Sequence, residues 1–273
     1  MIIQIGNIYY YISLVLMIVL TVGLYYLLKN KSDNVKKYTL LSLAIFNFLL
    51  HFLKLLHPTY NSNMKFGLIH ISLENICAVS TVLLPFAMIM KNKLLKGYFY
   101  FVSFLGGLMA VIITTNPVGL YIFEFESIRY YTCHYILFMV PIVACLTKEY
   151  KPEIKHAIWM PFMFLLGQTI ILLNEILIWK TGLLEHTLST FLSSEYRNPA
   201  FVFGPNDSGK ALSDKLLIFV PEFMKTNIFG IDGVGDFYWP VLWLLVPSVL
   251  FFPIGYIILT LPFTYKDFKF KKQ

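Results

Sequence analysis

The chain has 273 residues, 58% of them hydrophobic and only 14% charged, with a mean hydropathy of +0.68. Soluble domains carry roughly 45–50% apolar and about 25% charged residues, so an ordinary soluble domain is excluded. The net charge of +7 would suggest nucleic acid in a soluble protein. Here the lysines sit in short runs between apolar blocks, where membrane topology explains them better and no nucleic-acid partner is expected.

Seven apolar segments follow in chain order: Ile8–Leu28, Tyr38–Leu56, Phe66–Met90, Gly97–Thr115, Ile128–Thr147, His156–Trp179 and Phe237–Phe263. A spanning helix needs about 20 residues, and each segment approaches or exceeds that. The predicted fold is all-α: a polytopic, multi-pass protein of the cell membrane with about seven transmembrane helices in one domain over residues 1–273. Gly and Pro inside the segments (Pro85, Gly106, Gly107, Pro141, Gly167, Pro247, Pro253) are tolerated in membrane helices.

Charge alternates between the connecting loops. Lys29, Lys31, Lys36 and Lys37 follow segment one, Lys91, Lys93 and Lys96 follow segment three, and Lys148, Lys151 and Lys155 follow segment five. Lys266, Lys269, Lys271 and Lys272 form the tail, whereas one opposite loop is acidic, with Glu124 and Glu126. The bias of basic residues toward cytoplasmic loops places the N-terminus outside and the C-terminus inside. Met1–Tyr10 is uncharged and resembles no signal peptide. The stretch 180–236 becomes a long outer loop punctuated by Asn198-Pro199, Gly204-Pro205-Asn206, Gly230, Gly233 and Gly235. Its apolar run Leu216–Phe223 is a candidate interfacial or re-entrant helix, and a loop of this length is often a lid or binding element. Three cysteines (Cys77, Cys133, Cys145) at these spacings give neither a disulfide framework nor a metal motif. No metal and no cofactor is expected.

Ionisable side chains within a bilayer are costly and are functional candidates by default. Segment two carries His51 and Lys54, with His57 at its end. Segment three carries His70, Glu74, Asn75 and Cys77. Segment five has Arg129 and then His134, and segment six has Gln168, Asn174 and Glu175. On the expected topology all except Gln168 fall in the outer half of the membrane. As a continuous helix, segment three would put His70, Glu74 and Cys77 (i, i+4, i+7) on one face, and Gln168 and Glu175 would share a face of segment six. At ~1.5 Å per residue, Cys77 lies roughly 15 Å and His134 roughly 9 Å into their helices, depths at which the two can meet. The bland readings are a small core cysteine, interfacial histidines at His57 and His70, and surface ion pairs among Arg129, Glu124 and Glu126. Glu74 and Glu175 should face the bundle interior and pair with Lys54, Arg129 or a histidine.

The stretch Leu68–Pro152 contains LIHISLENICAVSTVLLPFAMIM, then a loop, then YIFEFESIRYYTCHYILFMVPIVACLTKEYKP. A Cys in the third helix is followed by LLP, and the fifth helix follows the pattern F-E…Y-Y…H…L…VPI. This resembles the YwaF/TMEM164 family of integral membrane proteins over about a third of the chain. In the animal branch the resemblance implies a lipid acyltransferase with a Cys nucleophile and a His partner, roles that fall on Cys77 and His134. The family is also compared in fold with small membrane hydrolases that cleave fatty-acid esters of hydroxy fatty acids. Two departures stand out. Bacterial relatives often have His two residues before the Cys, where this chain has Asn75, leaving His70 or Glu74 as replacements. The Asn-Tyr-rich segment typical near the sixth helix reads Asn198-Pro199-Ala200-Phe201 here.

The implied chemistry is coherent. A thiol activated by a histidine attacks a lipid ester and holds the acyl group as a thioester. Asn75, Lys54 or Arg129 would steady an oxyanion or a phosphate head group, beside His51, His70, Glu74 and Glu175. The expected partner is a membrane lipid, and the sequence sets no oligomeric state. Two other readings stay open. A proton-coupled transporter would use Glu74, Glu175 and the histidines as a relay, although no inverted repeat is visible. A receptor or structural subunit would bind a partner through the long outer loop.

Overall fold

The computed structural model describes residues 1–114, 117–196, 198, 200–205, 210–225 and 238–269. Among them the regular structure is helical, and extended pairing is limited to one isolated bridge, Ile2 with Tyr121. Six helical stretches are long and apolar enough to cross a membrane: Ile8–Leu28, Asp33–Leu56, Lys93–Ile112, Phe125–Leu146, Ile154–Lys180 and Leu242–Thr264. A further apolar pair among the described residues, Met64–Ile71 and Ile76–Ile89, is bent by 61° at its break, the form of a broken span or a re-entrant loop; taken as one span it brings the crossings to seven. The chain is a polytopic α-helical membrane protein, as its hydropathy predicts.

Its contacts divide into two compact units. The first comprises Met1–Leu53, Ser80–Ile154 and Leu259–Gln273; the second comprises Lys54–Val79 and Lys155–Ile258.

In the first unit, α1 (Ile8–Leu28) starts where the Asn7 side chain accepts from the Tyr10 N–H. That is an N-cap, relieving one of the donors a helix start leaves unpaired. Val15, Ile18, Val19 and Val22 are exposed along it, as expected of a helix bathed in lipid. The next two helices are α2 (Asp33–Leu53) and, beyond the second unit's α3 (Pro58–Asn61) and α4 (Met64–Ile71), the bent partner α5 (Ile76–Ile89). The latter runs from one unit into the other. The most extensive helix pair is α6 (Lys93–Ile112) with α7 (Phe125–Leu146), and α1 and α2 also pack on α7. Gly107 explains the closeness of the main pair: a Cβ there would lie 2.6 Å from the His134 carbonyl oxygen and 2.7 Å from the Phe138 nitrogen. Small residues allow such backbone approach in membranes. The Tyr135 hydroxyl donates to the Ser13 carbonyl at 2.7 Å, tying α7 to α1. At the other end of α6, Lys96 meets Glu149 at 3.4 Å, with side-chain exposures of only 14% and 8%, and the Tyr100 hydroxyl donates to the same carboxylate.

The second unit holds α3, α4, α8 (Met160–Lys180), α9 (Leu188–Leu192), α10 (Lys210–Leu217) and most of α11 (Leu245–Lys269). Trp243 is fully buried there among Val220, Met224, Tyr238 and Leu244.

Three expectations need correction. Segment three is not one helix: residues 72–75 are non-helical, and the chain turns there. His70, Glu74 and Cys77 therefore do not form an i, i+4, i+7 face. Asn75 begins a new helix, its side-chain oxygen accepting the Ala78 N–H at 2.9 Å. The helix near Leu216–Phe223 lies earlier, at Lys210–Leu217, and Pro221 separates it from a single 3-10 turn over Glu222–Lys225. The last helix begins later than expected, with a 3-10 turn at Leu242–Leu244 leading into α11. Thr115, Pro199, Asn206, Gly230, Gly233, Gly235, Asp236, Phe237, Lys271 and Lys272 lie outside the described residues.

Candidate functional site

The helix break at 72–75 organises the second unit. Non-helical backbone at membrane depth must find partners within the protein, because each unsatisfied group costs several kcal/mol there. Four polar side chains bond at or beside the break, one of them, Asn198, to backbone within 72–75. Lys54 donates through Nζ to the His70 carbonyl, capping the C-terminal turn of α4, where cations are favoured. The Asn174 amide donates to Ser72 Oγ at 2.9 Å. The Asn198 amide donates to the Glu74 carbonyl at 2.7 Å, and its side-chain oxygen accepts from the Ala200 N–H. Asn75 caps α5. Gly67 lets α4 approach the preceding turn, since a Cβ there would meet the Tyr60 carbonyl oxygen at 2.6 Å.

This network fixes Cys77 in the first turn of α5, where backbone N–H groups lack intrahelical partners. Cys77, Asn75 and Ile76 line a cavity of about 660 Å³ within the second unit, inside the ~300–1,000 Å³ range of small-molecule sites. The opposite lining is mainly aromatic: Phe164 from α8, Phe201, Phe219, and Phe251 and Phe252 from α11. Phe164 and Phe252 lie 4.2 Å apart between ring centres, and Phe219 meets Phe251 edge-on at 5.2 Å. Gln168, Lys215 and Ser248 complete the polar lining. Phe201 holds φ +64° and Val241 φ +62°, a left-handed backbone that a β-branched residue rarely tolerates. Hydrogen bonds pin both: the Trp243 indole donates to the Phe201 carbonyl at 2.8 Å, and the Val241 N–H donates to the Val202 carbonyl at 2.7 Å.

The remaining sequence candidates fall as follows. Glu175 is buried, 5% exposed, and its carboxyl is hydrogen-bonded by the Asn198 side chain with Glu74 nearby. Asn198 thereby joins the Glu175 carboxyl to the Glu74 backbone carbonyl, where the sequence predicts pairing with Lys54, Arg129 or a histidine. Arg129 pairs instead with Glu126 at 2.7 Å, one turn away on α7. His70 stacks against Phe66 with ring centres 4.0 Å apart. His51 is buried near the end of α2, edge-on to Phe52. His57 caps α3. In the first unit, His134 Nδ1 lies 2.8 Å from the Tyr130 carbonyl, and its ring packs at 4.3 Å on Tyr130. Cys133 is buried in α7, its carbonyl accepting from Asn47. Among the described residues no group of three His, Cys, Asp or Glu side chains could hold a metal.

Sequence reasoning set Gln168 aside for its different depth, yet it lines the same cavity as Cys77. A glutamine in the middle of an apolar helix was the signal available. Asn198 and Phe201 stand in the sequence only as an altered family segment, and Lys215 carries no local signal; their place at the cavity arises from long-range packing.

Among the described residues, six apolar helices and one bent apolar pair held by polar side chains define a multi-pass helical membrane protein with a half-open cavity. The chain belongs to the TMEM164 family, whose family model matches residues 4–192. No curated protein and no solved structure matches it.

Proposed function

We propose that this protein is a lipid acyltransferase or lipid-ester hydrolase of the cell membrane, with Cys77 as nucleophile and His134 as its general base. The single observation that carries the reading is the position of Cys77. Its thiol belongs to the first turn of a capped helix and opens on an aromatic-lined cavity with few polar groups, the setting an acyl chain requires. The pairing with His134 comes from the family resemblance. The charge pattern of the loops adds an outside N-terminus, which puts the site in the outer half of the bilayer, near the level of lipid ester carbonyls.

In this mechanism the Cys77 sulfur attacks the ester carbonyl. A C–S bond forms, the ester C–O bond breaks, and His134 passes the thiol proton to the departing alkoxide. A hydroxyl or water then attacks the thioester: a C–O bond forms, the C–S bond breaks, and His134 carries the proton back toward sulfur. Asn75, at the mouth of the same helix, is the side chain suited to donate to the developing oxyanion.

Cys77→Ala should lower acyl transfer or ester hydrolysis at least about a thousandfold. His134→Ala should do nearly the same, and an acyl group should be trappable as a thioester on the wild-type protein but not on Cys77→Ala. A thiol-reactive lipid probe compared between the two proteins makes the same test. Full activity in Cys77→Ala would end this reading. The runner-up is a proton-coupled carrier, favoured by the burial of Glu175 with Glu74 nearby. Substrate-dependent flux in proteoliposomes, unaffected by Cys77→Ala, would move the assignment there.

A further inference from the structure

One end of the first unit pairs off its acids and keeps its cations at the surface. Three stretches meet there, residues 29–37, 90–97 and 147–154, with nine lysines against three acidic residues. Lys96 donates to the Met88 carbonyl at 3.2 Å, and the Tyr150 hydroxyl donates to the Lys93 carbonyl at 3.4 Å. These bonds hold the end of α5, the start of α6 and the end of α7 together. Tyr10, at the start of α1, donates to the Ile112 carbonyl at the end of α6, so α1 ends where α6 begins. Each of the three acids is bonded to a lysine: Asp33 to Lys36 at 3.1 Å, Glu153 to Lys93 at 2.8 Å and Glu149 to Lys96 at 3.4 Å. The Glu149 side chain is only 8% exposed. Lys29, Lys31, Lys91, Lys93, Lys148 and Lys151 are exposed.

Topology alone asks for lysines in such loops. It does not fix their depth, and here a ring does. Lys29 Nζ lies 4.2 Å from the centre of the Tyr26 ring. Tyr26 and Tyr38, on either side of the α1–α2 turn, are 60% and 61% exposed, beside the exposed Leu27 and Val35. Exposed tyrosines of spanning helices sit at headgroup level. Lys29 is therefore held at the depth of lipid phosphates, with apolar surface below it for the chains. We propose that this end of the first unit binds the anionic headgroup of a phospholipid, with Lys29 and Lys31 as its contact at headgroup depth. The proposal is independent of the acyl-transfer reading: no bond is made, and Cys77 takes no part.

The test is native mass spectrometry of the full-length protein in detergent, reading Kd for the first bound lipid. Phosphatidylglycerol and phosphatidylcholine of the same chains are compared, so the result is the same in either membrane orientation. Phosphatidylglycerol should bind about fivefold tighter, the effect of roughly one lysine at a charged surface, and raising the ammonium acetate concentration should shrink the ratio. Lys29→Gln with Lys31→Gln should bring the ratio close to one, whereas Lys29→Arg with Lys31→Arg should keep it. Unchanged phosphatidylcholine binding is the check on folding. Lys180→Gln, at an exposed lysine of the second unit, should change nothing. Equal binding of the two lipids, a preference that survives neutralisation of Lys29 and Lys31, or an equal loss from Lys180→Gln overturns the proposal. Displacement of phosphatidylglycerol by soluble glycerol phosphate, beyond that of a salt of equal ionic strength, overturns it too, because the site would then serve free phosphates.

Discussion

The two units of this protein handle the absence of water in opposite ways. In the first, α6 and α7 press together until not even a methyl group fits at Gly107, and the Tyr130 and Tyr135 hydroxyls donate to backbone carbonyls. In the second, an apolar helical run is broken at residues 72–75, polar side chains bond at the break, and about 660 Å³ is left open beside it. Close packing needs small residues and continuous helices. A cavity needs a discontinuity, and a discontinuity inside a membrane needs dedicated hydrogen-bond donors. Two of the polar residues that look like a reaction centre in the sequence, Lys54 and Asn75, bond to backbone beside that break.

The sharpest way to break this contrast is at Gly107. Its added methyl would strike backbone atoms of α7, which cannot swing aside, so Gly107→Ala should cost about 1–3 kcal/mol or more by overpacking. Gly23 on α1, where a Cβ meets nothing within 4 Å, is the control: Gly23→Ala should leave stability unchanged or slightly raised. Thermal or SDS unfolding of the two variants in one micelle reads the difference, and equal behaviour would remove the claim of tight packing. In the second unit, Asn198→Ala withdraws the donor to Glu74 and the acceptor for Ala200, for an expected loss of about 1–3 kcal/mol. Hydrogen exchange should then accelerate around residues 72–76, whereas a uniform change across the chain would mean that Asn198 is not specific to the break.

Asn75→Ala should cost about 1 kcal/mol through the lost cap, with Asn75→Asp retaining most of the stability. A null result there would show that α5 starts without Asn75. The smallest effect belongs to the surface pair of Lys65 and Glu185. Lys65 holds the Glu185 carboxyl below its usual range by a hydrogen bond and by charge. The folded state therefore binds that proton less readily than the unfolded one. Any stability the pair adds is present above the ordinary carboxylate value and is lost as pH falls through the lowered one. Because the pair is exposed, Glu185→Gln should leave Tm at neutral pH unchanged and only flatten the acid limb of a Tm–pH curve.

Much of the scaffold was legible from hydropathy alone. The first helix falls at Ile8–Leu28 as expected, because an apolar block bounded by Asn7 and Lys29 has no competing structure. The break in segment three was hidden for the same reason: Phe66–Met90 reads as one apolar run, and no Gly or Pro marks residues 72–75. The groups at the break find partners both locally, Ser72 on the Ile69 carbonyl, and elsewhere in the chain, Lys54, Asn174 and Asn198. The one local sign was Asn75 ahead of an apolar run, a capping residue that the family comparison presented instead as a missing histidine. Cys77 could be singled out in the sequence, but its aromatic wall could not. Phe201 and Phe251 lie more than a hundred residues away, and nothing in their neighbourhoods points to residue 77.

The Asn198–Glu74 hydrogen bond also sets an order of events during biosynthesis. Its two residues are 124 apart, so at ~5–20 residues per second the ribosome needs roughly 6–25 s after Glu74 to deliver its partner. Through that interval the Glu74 carbonyl must be satisfied by water, which keeps the bent α4–α5 segment at a hydrated level of the membrane or its insertion machinery. The first unit's α6–α7 pair is complete before residue 150 and can assemble meanwhile. The cavity beside Cys77 therefore closes only after residue 198 is made, and a chain truncated before residue 198 should insert its early helices while leaving that cavity unformed.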